Sequence, residues 1–261
     1  MQNNDETTQI EEMKAPLQSD NLERFEEMFK AGAHYGYSKT KRHPKMASFI
    51  YGIKNNAEIF DLEKTFICLE RAIGFVKKLF EENKTILFVG TKPGVGEIIK
   101  QTAEELKMPY VCERWIGGAL TNFKIIRKRV LEYEKLKNDI EADNLSKYTK
   151  KERIKINKNF AKMQKNFGGL EKLTELPAAL IIVDPKKEIT AAREAKRLLI
   201  PIVAILNTDC DPESVAYPVP ANDAAVKSVK YIINKLTGLN KEEDNKKEEA
   251  GLVENQLSVF D

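Results

Sequence analysis

The best candidate for chemistry in this sequence is the run Val89-Gly90-Thr91-Lys92-Pro93-Gly94-Val95-Gly96-Glu97. It follows an apolar stretch and opens a helical pattern, the place where many nucleotide enzymes bind phosphate on free backbone N–H groups. A phosphate loop of the G-x-x-x-x-G-K-[ST] type needs a lysine and a hydroxyl after its last glycine. Here Glu97 and Ile98 follow Gly96. A dinucleotide fingerprint needs G-x-G-x-x-G, and the third glycine after Gly94 and Gly96 is absent. Glu97 on the first turn would repel a phosphate. The run reads as a tight strand-to-helix turn, and a nucleotide- or sugar-phosphate-binding α/β enzyme using Gly90 to Gly96 is the alternative. Asp209, Asp211 and Asp223 follow strands expected to end on one sheet edge. As hard oxygen donors they could hold a divalent cation, or they could be turn and helix-cap residues. The other catalytic currency is sparse. There are two histidines, His34 and His43, and no G-x-S-x-G. The three cysteines, Cys68, Cys112 and Cys210, lie far apart, which excludes a disulfide framework and fits a reducing cytosol.

Charge is more telling. The whole chain has 43 basic and 40 acidic residues, a net of +3. Residues 1–29 carry a net −6 and residues 239–261 a net −4, so the body between them carries +13. Residues 123–173 alone hold a net +8, and Met28 to Ala57 contains six basic residues and no acid. Two basic regions on one body point to a polyanion partner.

The elements that must position these residues follow from periodicity. A helix is expected over Asn21 to Ala31 and an irregular loop over Ala33 to Arg42. Phe49-Ile50-Tyr51 and Ala57-Glu58-Ile59-Phe60 suggest a hairpin joined around Lys54-Asn55-Asn56. Asp61 caps an amphipathic helix carrying Leu62, Phe66, Leu69, Ile73, Val76 and Phe80. Strands at Thr85 to Val89, Pro109 to Cys112, Ala178 to Asp184, Ile202 to Leu206 and Ala216 to Val219 alternate with helices at Val95 to Leu106, Ile189 to Leu199 and Asn222 to Leu236. The strands are continuously apolar, as in a parallel sheet covered on both faces. Between them, Phe123 to Leu173 shows two helical stripes. One is Ile126, Val130, Tyr133, Leu136 and Ile140, the other Ile156, Phe160, Met163, Phe167 and Leu170. Asp143 to Ser146 reads as a turn and Thr149-x-x-Glu152 as a capping box. The segment is expected to be an antiparallel helical hairpin whose stripes form its own seam. The expected division is a disordered acidic extension at 1–20, an α/β core at 21–122 and 174–238, a hairpin insertion at 123–173 and a disordered acidic tail at 239–261. The longest apolar run, Leu198 to Leu206, has nine residues, against the roughly 18 of a membrane helix. Met1 to Lys14 is polar and acidic, unlike a targeting peptide.

Several segments resemble one family in order along the chain. They are Ala31-Gly32-Ala33-His34-Tyr35-Gly36, Pro44-Lys45-Met46, Ile59 to Thr65, Leu87 to Lys92, Arg114-Trp115-Ile116-Gly117-Gly118-Ala119-Leu120-Thr121-Asn122-Phe123, Val183 to Glu188, Asn207 to Pro212 and Pro220 to Ala224. They resemble the bacterial small-subunit ribosomal protein number two. The resemblance implies a flavodoxin-like α/β fold with a protruding coiled-coil hairpin and a structural role in the cytoplasmic ribosome, without enzymatic activity or cofactor. It implies contact with small-subunit ribosomal RNA and help in docking the large multi-OB-fold messenger-binding ribosomal protein. No membrane and no small-molecule substrate are expected among its partners. Two positions depart from the family. Tyr37 stands where a second histidine is usual, so a metal role needing both histidines does not transfer. Arg42 stands where a tryptophan is usual, so charge replaces stacking. The expected phosphate contacts are Lys39, Lys41, Arg42, Lys45, Arg127, Lys128 and Arg129. Arg114, Trp115 and Phe123 are assigned to loop packing, with stacking on RNA the lesser reading.

Overall fold

A computed structural model describes residues 19–142 and 149–239. The expected extension at 1–20 apart from its last two residues, the turn at Asp143 to Ser146, and the acidic tail beyond Leu239 lie outside the described residues.

The continuous apolar runs form a five-stranded parallel sheet. Its strands are β4 (Ile86–Val89), β5 (Tyr110–Val111), β6 (Ala179–Val183), β7 (Ile202–Leu206) and β8 (Tyr217–Pro220), in the order β5-β4-β6-β7-β8. Register pairs include Phe88 with Ile181 and Ile182 with Ala204. Counted by appearance the order is 2-1-3-4-5, the flavodoxin-like winding, whose direction reverses between β4 and β6. Strand alternation divides the core in two. Phe88, Ile181 and Ile205 face α2 (Leu62–Glu81), α3 (Val95–Glu105) and α7 (Val226–Thr237). Leu87, Val89, Leu180 and Ile182 face α6 (Ile189–Arg197), Trp115 and the root of the helical insertion. Pro218 and Pro220 are tolerated in β8 because it is an edge strand. The Asp61 carboxylate accepts from the Glu63 and Lys64 N–H groups and so starts α2. Gly238, left-handed at φ 73°, ends α7.

A smaller antiparallel sheet precedes this one in the chain. The expected hairpin is present as β2 (Ile50–Lys54) and β3 (Ala57–Phe60). Asn55 and Asn56, at φ 50° and 62°, make its two-residue turn. The irregular loop expected at Ala33 to Arg42 is instead partly ordered as β1 (Tyr35–Ser38), which gives the sheet the order β1-β3-β2. It pairs Tyr35 with Ile59 and Ser38 with Ala57. Its partner lies about twenty residues downstream, so local pattern carries no sign of it. Gly36 is required there, because a Cβ would stand 2.5 Å from Thr208 Cγ2 and 3.2 Å from the Glu58 carbonyl.

The first described helix is α1 (Ser19–Lys30), and the insertion between β5 and β6 is α4 (Phe123–Glu141) and α5 (Lys150–Phe167). The two insertion helices pack together, with Tyr133 stacked on Phe160 at 5.5 Å. The expected capping box is formed: the Thr149 N–H and hydroxyl both donate to Glu152, at 2.9 Å each. One expectation changes. The stripes are not only a seam, because Ile126, Val130, Phe167 and Leu170 also pack into the second half of the sheet core. A Cβ on Gly169 would sit 2.2 Å from the Tyr110 carbonyl, so glycine lets the end of the insertion close on β5.

Candidate nucleic-acid interface and the adjoining sheet edge

In a doubly wound sheet, ligands bind beyond the carboxyl ends of the strands where the winding reverses. Here the point of reversal is occupied by the protein's own charges, while a cavity of about 760 Å³ stays open beside it between Thr91 to Gly94, Gly96 and the root of the insertion. Lys92, after β4, places its ammonium 2.7 Å from Asp184, after β6, and 2.8 Å from Asp223. It also donates to the Tyr37 hydroxyl at 3.3 Å. The Asn207 amide donates to Asp223 at 2.9 Å, and its oxygen accepts from the Tyr37 N–H at 3.2 Å. Burial opposes the charge on Lys92, but hydrogen bonds to Asp184 and Asp223 outweigh it and hold the lysine well above its ordinary pKa. Asp223 has no exposed surface. Burial raises its carboxyl pKa by more than Lys92 and Asn207 lower it. One ammonium shared by two carboxylates compensates neither in full. The Gly90 to Gly96 turn is tied down as well. The Thr91 hydroxyl donates to Glu188, Lys187 donates to the Thr91 carbonyl at 2.9 Å, and a Cβ on Gly96 would lie 2.8 Å from the Cys112 carbonyl. The lysine of the turn is committed to carboxylates and does not await a phosphate.

The other carboxylates on this edge are engaged in the same way. Asp209 pairs with Lys186 at 2.8 Å, and Asp211 pairs with Lys45 at 3.6 Å while capping the turn Pro212–Ser214. Among the described residues, no three His, Cys, Asp or Glu side chains gather as a metal-ligand set. His34 is buried and stacks on Phe29 at 4.2 Å; burial, then Lys54, lowers its pKa. Tyr37 serves the Lys92 cluster by hydrogen bonding and carries Lys41 over its ring at 5.4 Å.

The expected phosphate contacts divide by geometry. Lys39 and Lys41 are exposed on the turn Lys39–Lys41, and Lys128 and Arg129 are exposed on α4. Arg129 reaches Glu132 only at 3.8 Å. Lys45 is shared between Asp211 and Glu213. Arg127 is half-buried and donates to Glu134 and to the Glu171 carbonyl, both at 3.1 Å. Arg42 lies 3.2 Å from Glu58, whose side chain has no exposed surface. That pairing leads to a prediction. Arg42→Ala leaves an uncompensated buried carboxylate and should cost about 3–5 kcal/mol in urea unfolding, while Glu58→Gln in the same background should restore much of the loss. A cost below about 0.5 kcal/mol would mark Arg42 as a surface cation only.

Sequence motifs do not single out Glu194, yet it organises the Arg114 to Phe123 run. One oxygen accepts from Trp115 Nε1 at 3.1 Å and the Gly118 N–H at 2.7 Å. The other accepts from the Leu120 N–H at 3.0 Å, the Thr121 N–H at 3.1 Å and the Thr121 hydroxyl at 3.2 Å. Burial would raise this carboxyl, but these bonds prevail and hold it below the usual range. The signal lies in α6, where Glu194 interrupts the apolar face made by Ala191 and Ala195. Trp115 is 8% exposed and thus packs rather than presents itself. Phe123 is half-buried and Arg114 exposed.

Comparison with known proteins identifies the family. The family model described as ribosomal protein S2 matches residues 28–242. A protein of Coprothermobacter proteolyticus named small ribosomal subunit protein uS2 is 43% identical over 210 residues, covering 80% of this chain and 78% of its own. A protein of that name from Thermus thermophilus is 40% identical over 213 residues, covering 82% and 83%. That of Cytophaga hutchinsonii is 38% identical over 238 residues, covering 90% and 94%. None of these names is an enzyme's. The chain belongs to the ribosomal protein S2 family, as a protein of the small ribosomal subunit.

Proposed function

We propose that this chain is a structural constituent of the small subunit that binds small-subunit ribosomal RNA through two basic surfaces. One is the loop after β1, with Lys39 and Lys41 foremost and Arg42 and Lys45 behind them. The other is the first two turns of α4, with Lys128 and Arg129 outward and Arg127 bracing the helix root. In this reading residues 123–173 act as an antiparallel coiled-coil arm on a core of residues 21–122 and 174–238. The assembly works in the cytoplasmic ribosome. The chain also helps dock the large multi-OB-fold messenger-binding protein, for which the exposed Tyr51 and Ile53 on the edge strand β2 offer apolar contact.

The observation that carries the proposal is that Lys39, Lys41 and Lys128 are exposed while the lysine of the turn, Lys92, is already committed to Asp184 and Asp223. Phosphate contacts release counterions, so binding should weaken steeply with salt. Reversing Lys39, Lys41, Lys128 and Arg129 to glutamate should flatten the salt slope by about one for each of these cations that touches a phosphate. It should also reduce incorporation into the subunit, with unfolding unchanged. Wild-type slope and incorporation in that variant would contradict the proposal. A saturable rise in melting temperature with ATP or NAD would favour the enzyme alternative, and none is expected.

A further inference from the structure

We infer that the acidic segment 240–261 docks in cis on a basic groove of its own chain and gives way to a polyanion. The groove, about 510 Å³, lies between α1, α3 and α7. Ile98 and Tyr231 give it an apolar floor, and four lysines against two glutamates line it. Lys235 is paired with Glu27, and Lys30 with Glu26. Lys227 and Lys230 are exposed, and no acid among the described residues pairs with either.

The chain exits into this groove. Gly238, at φ 73°, reverses the backbone, the Leu239 N–H donates to the Asn234 carbonyl at 3.1 Å, and Leu239 itself lines the groove. The next 22 residues carry seven acids against three lysines. Their spacing fits. At 1.5 Å per helical residue, Lys230 lies about 13 Å back from Leu239 and Lys227 about 18 Å. At roughly 3.3 Å per extended residue, Glu242 to Asp244 reach about 10–17 Å and Glu248-Glu249 about 30 Å. The first acidic cluster thus meets Lys230 and the second extends beyond Lys227. Such exposed pairs are weak and salt-screened, so a denser polyanion displaces them. That this spares free protein from indiscriminate RNA contact rests on the RNA-binding proposal; the docking itself does not.

The test uses the full chain and zero-length carbodiimide cross-linking, which joins lysines to carboxylates in contact. Cross-links are expected from Lys227 and Lys230 to Glu242, Glu243 or Asp244. They should disappear in Lys227→Arg/Lys230→Arg, which keeps the charge, and fade when long-chain inorganic polyphosphate is added. Neutralising the tail with Glu242→Gln, Glu243→Gln and Asp244→Asn should tighten polyphosphate binding about fivefold. Cross-links absent, or spread evenly to Lys39 and Lys128, would overturn the inference, as would unchanged polyphosphate affinity. Polyphosphate tests the groove without ribosomal RNA, so failure of the RNA-binding proposal would show separately, as loss of salt-dependent RNA binding with the cross-links retained.

Discussion

Lys92→Met will destabilise the fold by about 3–5 kcal/mol at neutral pH, because it removes the single cation that a buried cluster requires. Lys92 lies between Asp184 and Asp223 at 2.7 and 2.8 Å, and the three side chains are 15%, 12% and 0% exposed. Without the ammonium, two carboxylates face each other across the point where the sheet reverses its winding. The cluster also joins β4, β6, the start of α7 and, through Tyr37, the smaller sheet. Its loss should loosen the basic loop after β1 together with the core. The pH dependence has a definite sign. Asp223 already titrates above its ordinary value because of burial, and without Lys92 it rises further. A carboxyl raised in the folded state favours folding below its unfolded pKa, about 3.9, and loses that contribution as pH rises through the folded value. The deficit of Lys92→Met should therefore be largest near pH 7 and shrink toward pH 4. Urea titrations at several pH values measure it. A deficit under about 1 kcal/mol, or one that is flat with pH, would show that the ammonium does not compensate these acids.

The second large effect lies at Glu194. Glu194→Ala strips acceptors from Trp115 Nε1 and from the backbone N–H groups of Gly118, Leu120 and Thr121, in a loop whose Leu120 is buried. Hydrogen bonds to a charged acceptor are worth about 1.5–3 kcal/mol each and are not additive, so a loss of at least about 3 kcal/mol is expected. Glu194→Gln should fall between alanine and wild type, because an amide replaces one acceptor oxygen with a donor that faces donors. Glu194 is held below the usual carboxylate range, so its contribution is present above the unfolded value and lost as pH falls through the folded one. The chain has one tryptophan, which makes Trp115 a direct reporter. Its emission should shift to the red in Glu194→Ala before global unfolding. Emission and stability both unchanged would remove Glu194 from this role.

The limits of sequence reading follow from which interactions are local. Strands β4, β6 and β7 show as continuous apolar runs because both faces of the sheet are covered. Asp61, Thr149 with Glu152, and Gly238 act within four residues of themselves, and each stands where spacing places it. Strand β1 escapes such a reading because its partner arrives later in the chain and its four residues include a glycine. The site is harder to read for the same reason. The turn around Lys92 invites a phosphate reading, but its partners Asp184 and Asp223 come from two distant segments brought together only by the winding of the sheet. Arg42 reads as a cation facing outward, whereas Glu58 claims it from below. Trp115 is expected to pack its loop, but the carboxylate that accepts from its indole is some eighty residues away.

Membership of the small subunit and attachment through RNA are tested most directly by sedimenting the tagged full chain from cell lysate, with and without ribonuclease. The chain should travel with the small-subunit peak at moderate salt and leave it after ribonuclease treatment, and the Lys39, Lys41, Lys128 and Arg129 reversal should shift it toward the top of the gradient. A wild-type chain that stays at the top and never enters that peak would contradict the central claim.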